Sequence, residues 1–292
     1  MAEFHRLKSR HDDDEEPAAW KDWNRAAEAL TKQAATADMP RLDHLARKDY
    51  QQVYEPAEDT YLMMDALQYE LEAGVFDANN HHTTPHDNDD FVLLEIGCGT
   101  GVSTVWFRQA WQKRYPGRPL KTFVTDINPR ALQVCLRTDA HNQASPTTTL
   151  PPIQAVRCDL ATDLLEMLTN AVDVLIFNPP YVPTPDDEVV EFTAPPNDDN
   201  DDDNTLLWDD SLIAAAWAGG TDGRRVVDRA VPQIQQLLRG RAYLVTVDDN
   251  QPAALAQRLQ TQYGLDMKPL FRRRAHNEYL TIQKIVPMEV GR

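Results

Sequence analysis

The stretch from Phe91 to Gly101 constrains the fold most, because an apolar run meets three closely spaced glycines there. Phe91–Ile96 is short and almost continuously apolar, which is typical of a buried parallel strand. The glycines at alternate positions let the backbone turn tightly and approach a ligand closely: Gly97, Gly99 and Gly101. The pattern over 102–114 then predicts a helix. The spacing of the three glycines differs from the dinucleotide-binding pattern G-x-G-x-x-G. The order of strand, glycine turn and helix predicts an α/β protein.

A second stretch, Phe177–Tyr181, places two prolines directly after the apolar run Val172–Phe177. Proline neither continues a helix nor donates a ladder hydrogen bond, so the predicted strand must end there. Open α/β sheets bind their ligands at the carboxyl ends of strands. Asn178 and the proline carbonyls offer acceptors and Tyr181 offers a flat face, a set that suits a planar amino group. The alternative is a strand-ending turn with a buried asparagine.

Two further predicted strands end in an acidic residue. Strand 121–125 is followed by Asp126, and strand 153–156 precedes Asp159. A carboxylate has two acceptor oxygens, so Asp126 can accept both hydroxyls of a ribose and Asp159 can accept an adenine amino group. The alternative for the first position is a helix cap, a role that Asn128 can fill equally well. The remaining predictions are helices near 130–142, 225–238 and 251–263, and strands at 242–247, 267–273 and 278–285.

Composition restricts the class of protein. The 292 residues are 42% apolar, which is ample for a core, yet no run reaches the 18 apolar residues of a membrane span. The formal net charge of −17 argues against DNA or an anionic membrane as the main partner. Three widely spaced cysteines fit neither a disulfide framework nor a zinc site, and the first residues resemble no targeting peptide. We therefore expect a cytoplasmic protein, with the nucleus as an alternative location.

The chain divides into an acidic extension, residues 1–38, and one domain, residues 39–292, with insertions near 77–90 and 185–207. The extension is expected to be solvated and flexible, with a short amphipathic helix as the alternative. The first insertion contains three histidines but no second ligand cluster, so no metal site is predicted. The second contains an acidic run at 197–204 and is expected to be a surface insertion. Asp59 or Thr60 can cap a helix that follows, or the helix N-terminus can face a ligand.

The order of strand, glycine turn, helix, two acid-ended strands and Asn-Pro-Pro-Tyr turn resembles class I S-adenosylmethionine-dependent methyltransferases. E-x-G-x-G-x-G corresponds to their motif I, and Asn-Pro-Pro-Tyr to enzymes that methylate an exocyclic or amide nitrogen. Segments at 53–60, 177–184, 215–224 and 243–246 are similar to the eukaryotic HemK-like release-factor glutamine methyltransferases, with a match over roughly 40–286. This resemblance implies a Rossmann-like α/β sheet of seven strands, mostly parallel, with an antiparallel C-terminal strand.

The same resemblance implies roles for individual residues. The residues expected to bind S-adenosylmethionine are Thr60, Glu95, Gly97, Gly99, Gly101, Asp126, Asp159, Leu160 and Asn178. Those expected to hold the substrate and take part in catalysis are Asn178, Pro179 and Tyr181. The implied substrate is the Gln of the Gly-Gly-Gln motif in the class 1 translation termination factor. Histone lysine and DNA N6-adenine are the alternative acceptors.

The resemblance also implies a partner. The family's catalytic subunit forms a heterodimer with a small zinc-binding activator that pairs along the edge of the sheet and covers apolar surface. The negative charge and the lack of a target-recognition domain count against DNA as the acceptor. Catalysis is expected to need no metal, since the motif requires positioning of the nitrogen rather than a strong base.

Overall fold

A computed structural model describes residues 16–77, 90–143, 150–190, 192, 213 and 215–288. Residues 1–15, the histidine-containing stretch 78–89 and the acidic run 197–204 lie outside the described residues. The predictions made for those stretches therefore stay predictions.

The core of the protein is one seven-stranded sheet in the order β3-β2-β1-β4-β5-β7-β6. Strands β1 to β5 are parallel to one another, whereas β7 runs antiparallel to both β5 and β6. The strands are β1 Phe91–Ile96, β2 Leu120–Asp126, β3 Gln154–Arg157, β4 Val172–Phe177, β5 Leu238–Val247, β6 Leu265–Ala275 and β7 Glu278–Pro287. The predicted seven-stranded, mostly parallel sheet is confirmed.

The helices cover both faces of this sheet. In the described residues they are α1 Ala18–Gln33, α2 Arg47–Tyr50, α3 Glu58–Glu72, α4 Val102–Arg114, α5 Pro129–Asn142, α6 Leu165–Leu168, α7 Arg225–Leu237 and α8 Pro252–Arg258. The predicted helix at 251–263 is thus shorter as an α-helix, and it continues as a π-helical turn over Leu259–Tyr263. No helix of the described part of the chain is long and apolar enough to cross a membrane.

The two-residue period of β1 divides the core between the faces. Val92 and Leu94 pack into one cluster, which includes side chains of α7 and α8. Phe91 and Leu93 pack into the other, which includes side chains of α3 and α4. Every residue of β1 is buried, as expected for a central strand covered on both faces. This burial explains why an apolar run, rather than an alternating pattern, marks the strand in the sequence.

The N-terminal extension differs from its prediction. Residues Ala18–Gln33 form α1, and its Trp20 is only 3% exposed. The hydroxyl of Thr31 accepts a hydrogen bond from the backbone N–H of Arg272 in β6, at 2.8 Å. The helix thereby satisfies a backbone donor of an edge strand, one of the ways in which proteins protect such strands. The alternative prediction, a short amphipathic helix, therefore holds for Ala18–Gln33 in place of a solvated segment, because this helix has a partner in β6.

Candidate active site

An open cavity lies at the carboxyl ends of β1, β2 and β4, where an open α/β sheet is expected to bind its ligand. The cavity encloses about 1120 Å³ when its mouth is counted. Most of the predicted cofactor residues line it: Thr60, Glu95, Gly97, Gly99, Asp126, Asp159, Leu160 and Asn178. The fold therefore brings residues from five separate parts of the sequence together around one space.

The glycine turn after β1 forms the floor of the cavity. Gly97 and Gly99 have φ values of +67° and +51°, which side chains with a Cβ rarely adopt. A Cβ at either position would meet no atom within 4 Å, because both residues face open space. These two glycines therefore leave room for a ligand to approach the backbone, as the sequence predicted.

Gly101 has a different function. It precedes α4 with a φ of +76°, and it is not among the residues that line the cavity. A Cβ there would lie 2.9 Å from the Cα of Cys135 in α5. The contact that requires a glycine is thus the packing of α4 against α5. The need for a glycine at 101 is explained by packing, and its predicted contact with a cofactor stays a prediction.

Glu95, in β1, links the strand to the helix after the glycine turn. Its carboxylate accepts hydrogen bonds from the backbone N–H of Thr104, at 3.2 Å, and from the Thr104 hydroxyl. Burial raises the pKa of Glu95 to about 7, against the lowering effect of these donors. The carboxylate therefore fixes the first turn of α4 and still lines the cavity.

Asp126, at the end of β2, is held by two backbone donors. The N–H of Gly99 lies 3.1 Å from one carboxylate oxygen and the N–H of Asn128 lies 2.9 Å from the other. Burial raises the pKa of Asp126 to about 6, and these backbone N–H groups limit the increase. Each oxygen keeps acceptor capacity toward the cavity, which suits two neighbouring ribose hydroxyls. Asn128 caps α5 through the N–H of Arg130, so the capping alternative belongs to Asn128.

Asp159 and Leu160 form the wall beyond β3. Asp159 pairs with Arg229 of α7, and both side chains are about one-third exposed. Leu160 has a φ of +56°, an uncommon conformation for a residue with a side chain. Arg229 also lines the cavity and was missed in the sequence, where it lies inside an ordinary helical pattern.

The segment before α3 provides the wall opposite Asp159. The helix begins at Glu58, with Ala57 at its N-cap. Asp59 and Thr60 are thus in the first turn of the helix, and neither is the N-cap that the sequence suggested. Thr60 lines the cavity, while the Asp59 carboxylate accepts hydrogen bonds from side chains around it.

The side-chain amide of Asn178, directly after β4, has a hydrogen-bond partner at only one of its two ends among the described residues. Its Nδ2 donates to Oδ2 of Asp59 at 3.1 Å. Its Oδ1 is buried and has no hydrogen-bond partner among the described residues. Because a buried acceptor without a donor is costly, a polar group of a ligand is the natural partner for this oxygen.

The rest of the Asn-Pro-Pro-Tyr turn supports Asn178. Of the two prolines, Pro179 is buried and Pro180 lines the cavity. The Tyr181 hydroxyl donates to Asp59 at 3.0 Å, and the ring is not among the cavity-lining groups. Burial, with the nearby Asp59 charge, raises the pKa of Tyr181, so its hydroxyl stays a donor. The predicted contacts of Pro179 and Tyr181 with a substrate stay predictions.

Two glycines and an asparagine buttress this turn from behind. A Cβ on Gly219 would lie 2.6 Å from the Pro180 carbonyl oxygen, and a Cβ on Gly223 would clash with the Tyr181 carbonyl. Asn250 donates to that same Tyr181 carbonyl at 2.9 Å. Sequence reasoning missed Asn250, because the residue follows β5 in a segment with no recognised motif.

S-adenosylmethionine fits this donor and acceptor set. Asp126 offers acceptors for a ribose, the two glycines leave space beside the backbone, and the buried Thr125 hydroxyl has no partner among the described groups. Within the described residues, no three His, Cys, Asp or Glu side chains are grouped to hold a metal ion.

Comparison with known proteins decides the family. The chain is 36% identical over 246 residues to human "Methyltransferase HEMK2", spanning 82% of this chain and 92% of that protein. It is 30% identical over 250 residues to the Schizosaccharomyces pombe "eRF1 methyltransferase catalytic subunit mtq2", spanning 84% and 94%. The chain belongs to the HEMK2 and Mtq2 family of S-adenosylmethionine-dependent methyltransferases. A scan against protein-family models gave no match.

A solved structure of the HEMK2 and Mtq2 family is also similar. The Mtq2 chain of the E. cuniculi Mtq2–Trm112 complex, described as methylating the eRF1 translation termination factor, is 28% identical to this chain. It matches 81% of this chain and 99% of its own length, with a TM-score of 0.49.

Proposed function

We propose that this chain methylates the side-chain amide nitrogen of the Gln in the Gly-Gly-Gln motif of the eukaryotic class 1 translation termination factor. Asn178, which lines the same cavity as Asp126 and whose Oδ1 has no partner within the described part of the chain, carries the proposal. The S. pombe relative is named for eRF1 methylation, and an archaeal relative, 27% identical over 198 residues, is named as a putative protein N5-glutamine methyltransferase. The archaeal match spans 68% of this chain and 73% of that protein.

The chemistry follows from the division of the cavity. Bound S-adenosylmethionine would supply an electrophilic methyl group: as the glutamine nitrogen bonds to the methyl carbon, the carbon–sulfur bond would break in line, S-adenosylhomocysteine would leave, and the nitrogen would lose one proton to solvent. Asp126, Glu95 and the glycine turn hold the nucleoside side of the cavity. Oδ1 of Asn178 is assigned one N–H of the target amide, and the backbone carbonyl of Pro179 is assigned the other.

Positioning is the main contribution of these residues. An amide nitrogen is a poor nucleophile because its lone pair is delocalised into the carbonyl. Acceptors on its two N–H bonds orient the nitrogen toward the methyl carbon and favour the positive charge that develops on it. The acceptors are fixed before the substrate arrives, since the prolines and the Asp59 hydrogen bond hold the turn.

The direct test is methyl transfer from labelled S-adenosylmethionine to the release factor, a histone octamer and duplex DNA in parallel. We expect transfer to the release factor alone, lost when the motif Gln is replaced by Asn, and mass spectrometry should locate the methyl group on that side chain. Transfer to histone lysine or to adenine in place of the release factor would overturn the proposal.

We further propose that the chain is the catalytic subunit of a heterodimer located in the cytoplasm, with a small zinc-binding activator as the second subunit. The S. pombe relative is named as a catalytic subunit, which supports a second subunit. The β3 edge favours the contact, because α1 packs on the opposite edge strand, β6, whereas β3 pairs only with β2 among the described strands.

Hydrogen exchange measured with and without the activator tests this contact. The backbone amides of β3 should gain protection on complex formation, whereas those of β6 should change little. A fully active catalytic chain that sediments as a monomer without activator would contradict the heterodimer.

A further inference from the structure

We infer that Asp59 is a positioning residue, whose carboxylate fixes the amide of Asn178 in the one orientation that presents Oδ1 to the substrate nitrogen. This inference deepens the proposed function and rests on the role that it assigns to Asn178. The sequence suggested only a helix cap for Asp59, and the names of the relatives assign it no role.

The Asp59 carboxylate is the centre of a buried hydrogen-bond network. The residue is 2% exposed. Its Oδ2 accepts the Tyr54 hydroxyl at 2.9 Å, the Tyr181 hydroxyl at 3.0 Å and Nδ2 of Asn178 at 3.1 Å. Its Oδ1 accepts the backbone N–H of Thr60 at 2.6 Å. With the Thr60 hydroxyl, which donates to Oδ1 at 3.2 Å, five donors from two separate stretches of the chain, 54–60 and 178–181, converge on one side chain.

This network determines which way the Asn178 amide faces. A carboxylate only accepts hydrogen bonds, whereas an asparagine amide has one donor end and one acceptor end. Turning the amide over would place two oxygens against each other and leave Nδ2 without its acceptor. The donor end must therefore face Asp59, and the acceptor end must face away, where it has no partner among the described residues. A nucleophile that still carries an N–H can donate a hydrogen bond to this Oδ1.

Asp59 is itself held by a rigid element. Arg273 of β6 donates to the backbone carbonyl of Glu58 at 3.1 Å, and its guanidinium also pairs with the Glu58 and Asp65 carboxylates. These contacts anchor the first turn of α3 to the sheet. The cluster of arginines at 272–274 thus includes a residue that fixes the helix bearing Asp59, which is the support that a positioned side chain needs.

The first test compares Asp59→Asn with a matched control, in the full chain bound to its activator. Glu70→Gln is the control, since Glu70 lies on the same helix, is 3% exposed and accepts a tyrosine hydroxyl, from Tyr243 at 2.8 Å. In Asp59→Asn, single-turnover methyl transfer should fall at least thirtyfold while cofactor affinity changes less than threefold. In Glu70→Gln, thermal stability should fall comparably and the rate should change less than threefold. Equal rate losses in both variants would reduce Asp59 to a structural residue and overturn the inference.

A double-variant cycle tests whether Asp59 acts through Asn178. If it does, adding Asp59→Asn to Asn178→Ala should cost less than a further threefold. The exchanged pair, Asp59→Asn with Asn178→Asp, should be at least tenfold faster than Asn178→Asp alone. The exchange restores a donor at one position facing an acceptor at the other. Multiplicative losses in the first comparison, or no recovery in the second, would contradict the inference.

A measurement that needs no methyl acceptor separates this inference from the proposed function. In protein labelled with ¹⁵N-asparagine, the Asn178 side-chain signal is assigned by its loss in Asn178→Ala. One of its two amide hydrogens should exchange slowly in the unaltered chain, because it is bound to a buried carboxylate. Two freely exchanging hydrogens would overturn the role of Asp59, even if Asp59→Asn fails to fold. Failure of methyl transfer to the release factor would instead overturn only the proposed function.

Discussion

The residues proposed to bind the cofactor and the residues proposed to bind the substrate form two halves of the site, and the two halves are built in different ways. In the cofactor half, Gly97, Gly99 and Asp126 act largely through backbone groups of turns that directly follow strands. In the substrate half, Asn178 and Tyr181 depend on Asp59, more than one hundred residues earlier in the chain. The first half is therefore a local structure that two short motifs specify, whereas the second exists only when the whole domain has folded.

This difference predicts different consequences of mutation. Changes in the cofactor half should act on cofactor affinity, because the surrounding turn remains in place when one acceptor is lost. Changes in the substrate half should act on the rate of transfer, because they disturb the orientation of the nucleophile and leave the residues proposed to hold the nucleoside in place. The predictions below test that separation.

The largest effect is expected within the glycine turn itself. Gly101→Ala should lower the free energy of unfolding by about 3 kcal/mol, because it combines a left-handed conformation with overpacking against Cys135. Gly97→Ala adds no such contact and should cost only about 1–2 kcal/mol, while its methyl group should weaken S-adenosylmethionine binding. Denaturant unfolding and calorimetry of both variants measure this contrast. A Gly97→Ala variant with unchanged affinity would show that the turn does not face the cofactor.

The next effect concerns the ribose. Asp126→Ala should weaken S-adenosylmethionine binding by about 1–3 kcal/mol, the usual loss for a charged hydrogen-bond partner. Titration calorimetry measures the change. A control variant must not disturb the core, which excludes Asp139→Ala because Asp139 pairs with buried Arg108. Asp163→Ala, at an acidic side chain of a short 3₁₀ turn, provides the control and should leave the affinity unchanged. Equal affinities for the two variants would refute the ribose assignment.

In the substrate half, Asn250→Ala tests the support behind the turn. The change removes the hydrogen bonds to the Tyr181 and Asp222 carbonyls and should cost about 1–3 kcal/mol of stability. Methyl transfer should slow about tenfold, with cofactor affinity within threefold. Asn142→Ala is the control, because Asn142 is a buried asparagine with hydrogen bonds to Arg41 at the end of α5. It should lose comparable stability at an unchanged rate, and equal slowing in both would indicate a general effect of destabilisation.

The smallest effect is a pH dependence of the cofactor half. With the pKa of Asp126 raised to about 6, protonation removes a ribose acceptor, so affinity should fall about tenfold between pH 7.5 and pH 5. Acidification does not unfold the protein through Asp126 or Glu95. Their raised pKa values contribute stability that is complete below the unfolded-state pKa and is lost as pH rises through about 6 to 7. In Asp126→Asn the affinity should vary little over this range, and a slope as steep as that of the unaltered chain would exclude Asp126 as its source.

The sequence predicted the cofactor half well because that half is local. The glycines directly follow the apolar run of β1, and Asp126 lies at the end of β2. The position of each residue in its motif therefore predicts its position in the cavity. The motif did not reveal the packing role of Gly101, because a glycine needed for packing and a glycine needed for a ligand look the same in a motif. What separates them is Cys135, on another helix.

The substrate half could be predicted only in part. Asn178 was recognised from the two prolines after it, but Asp59 was interpreted as a possible helix cap, since capping is the commonest local use of such a residue. Its partners Tyr54, Asn178 and Tyr181 meet only through tertiary packing. The helix α1 was only the alternative prediction for its segment, because its partner strand β6 lies far away in the sequence.

The central claim is that the two halves contribute to separate steps, and single-turnover methyl transfer at saturating cofactor tests it most directly. At concentrations that saturate each variant, Asp126→Ala should react within about threefold of the unaltered chain, whereas Asn178→Ala should be slower by at least a hundredfold, about 2.7 kcal/mol in the transition state. The affinity of Asn178→Ala for S-adenosylmethionine should stay within tenfold. A near-normal rate for Asn178→Ala would contradict the account, because the turn would then only end a strand.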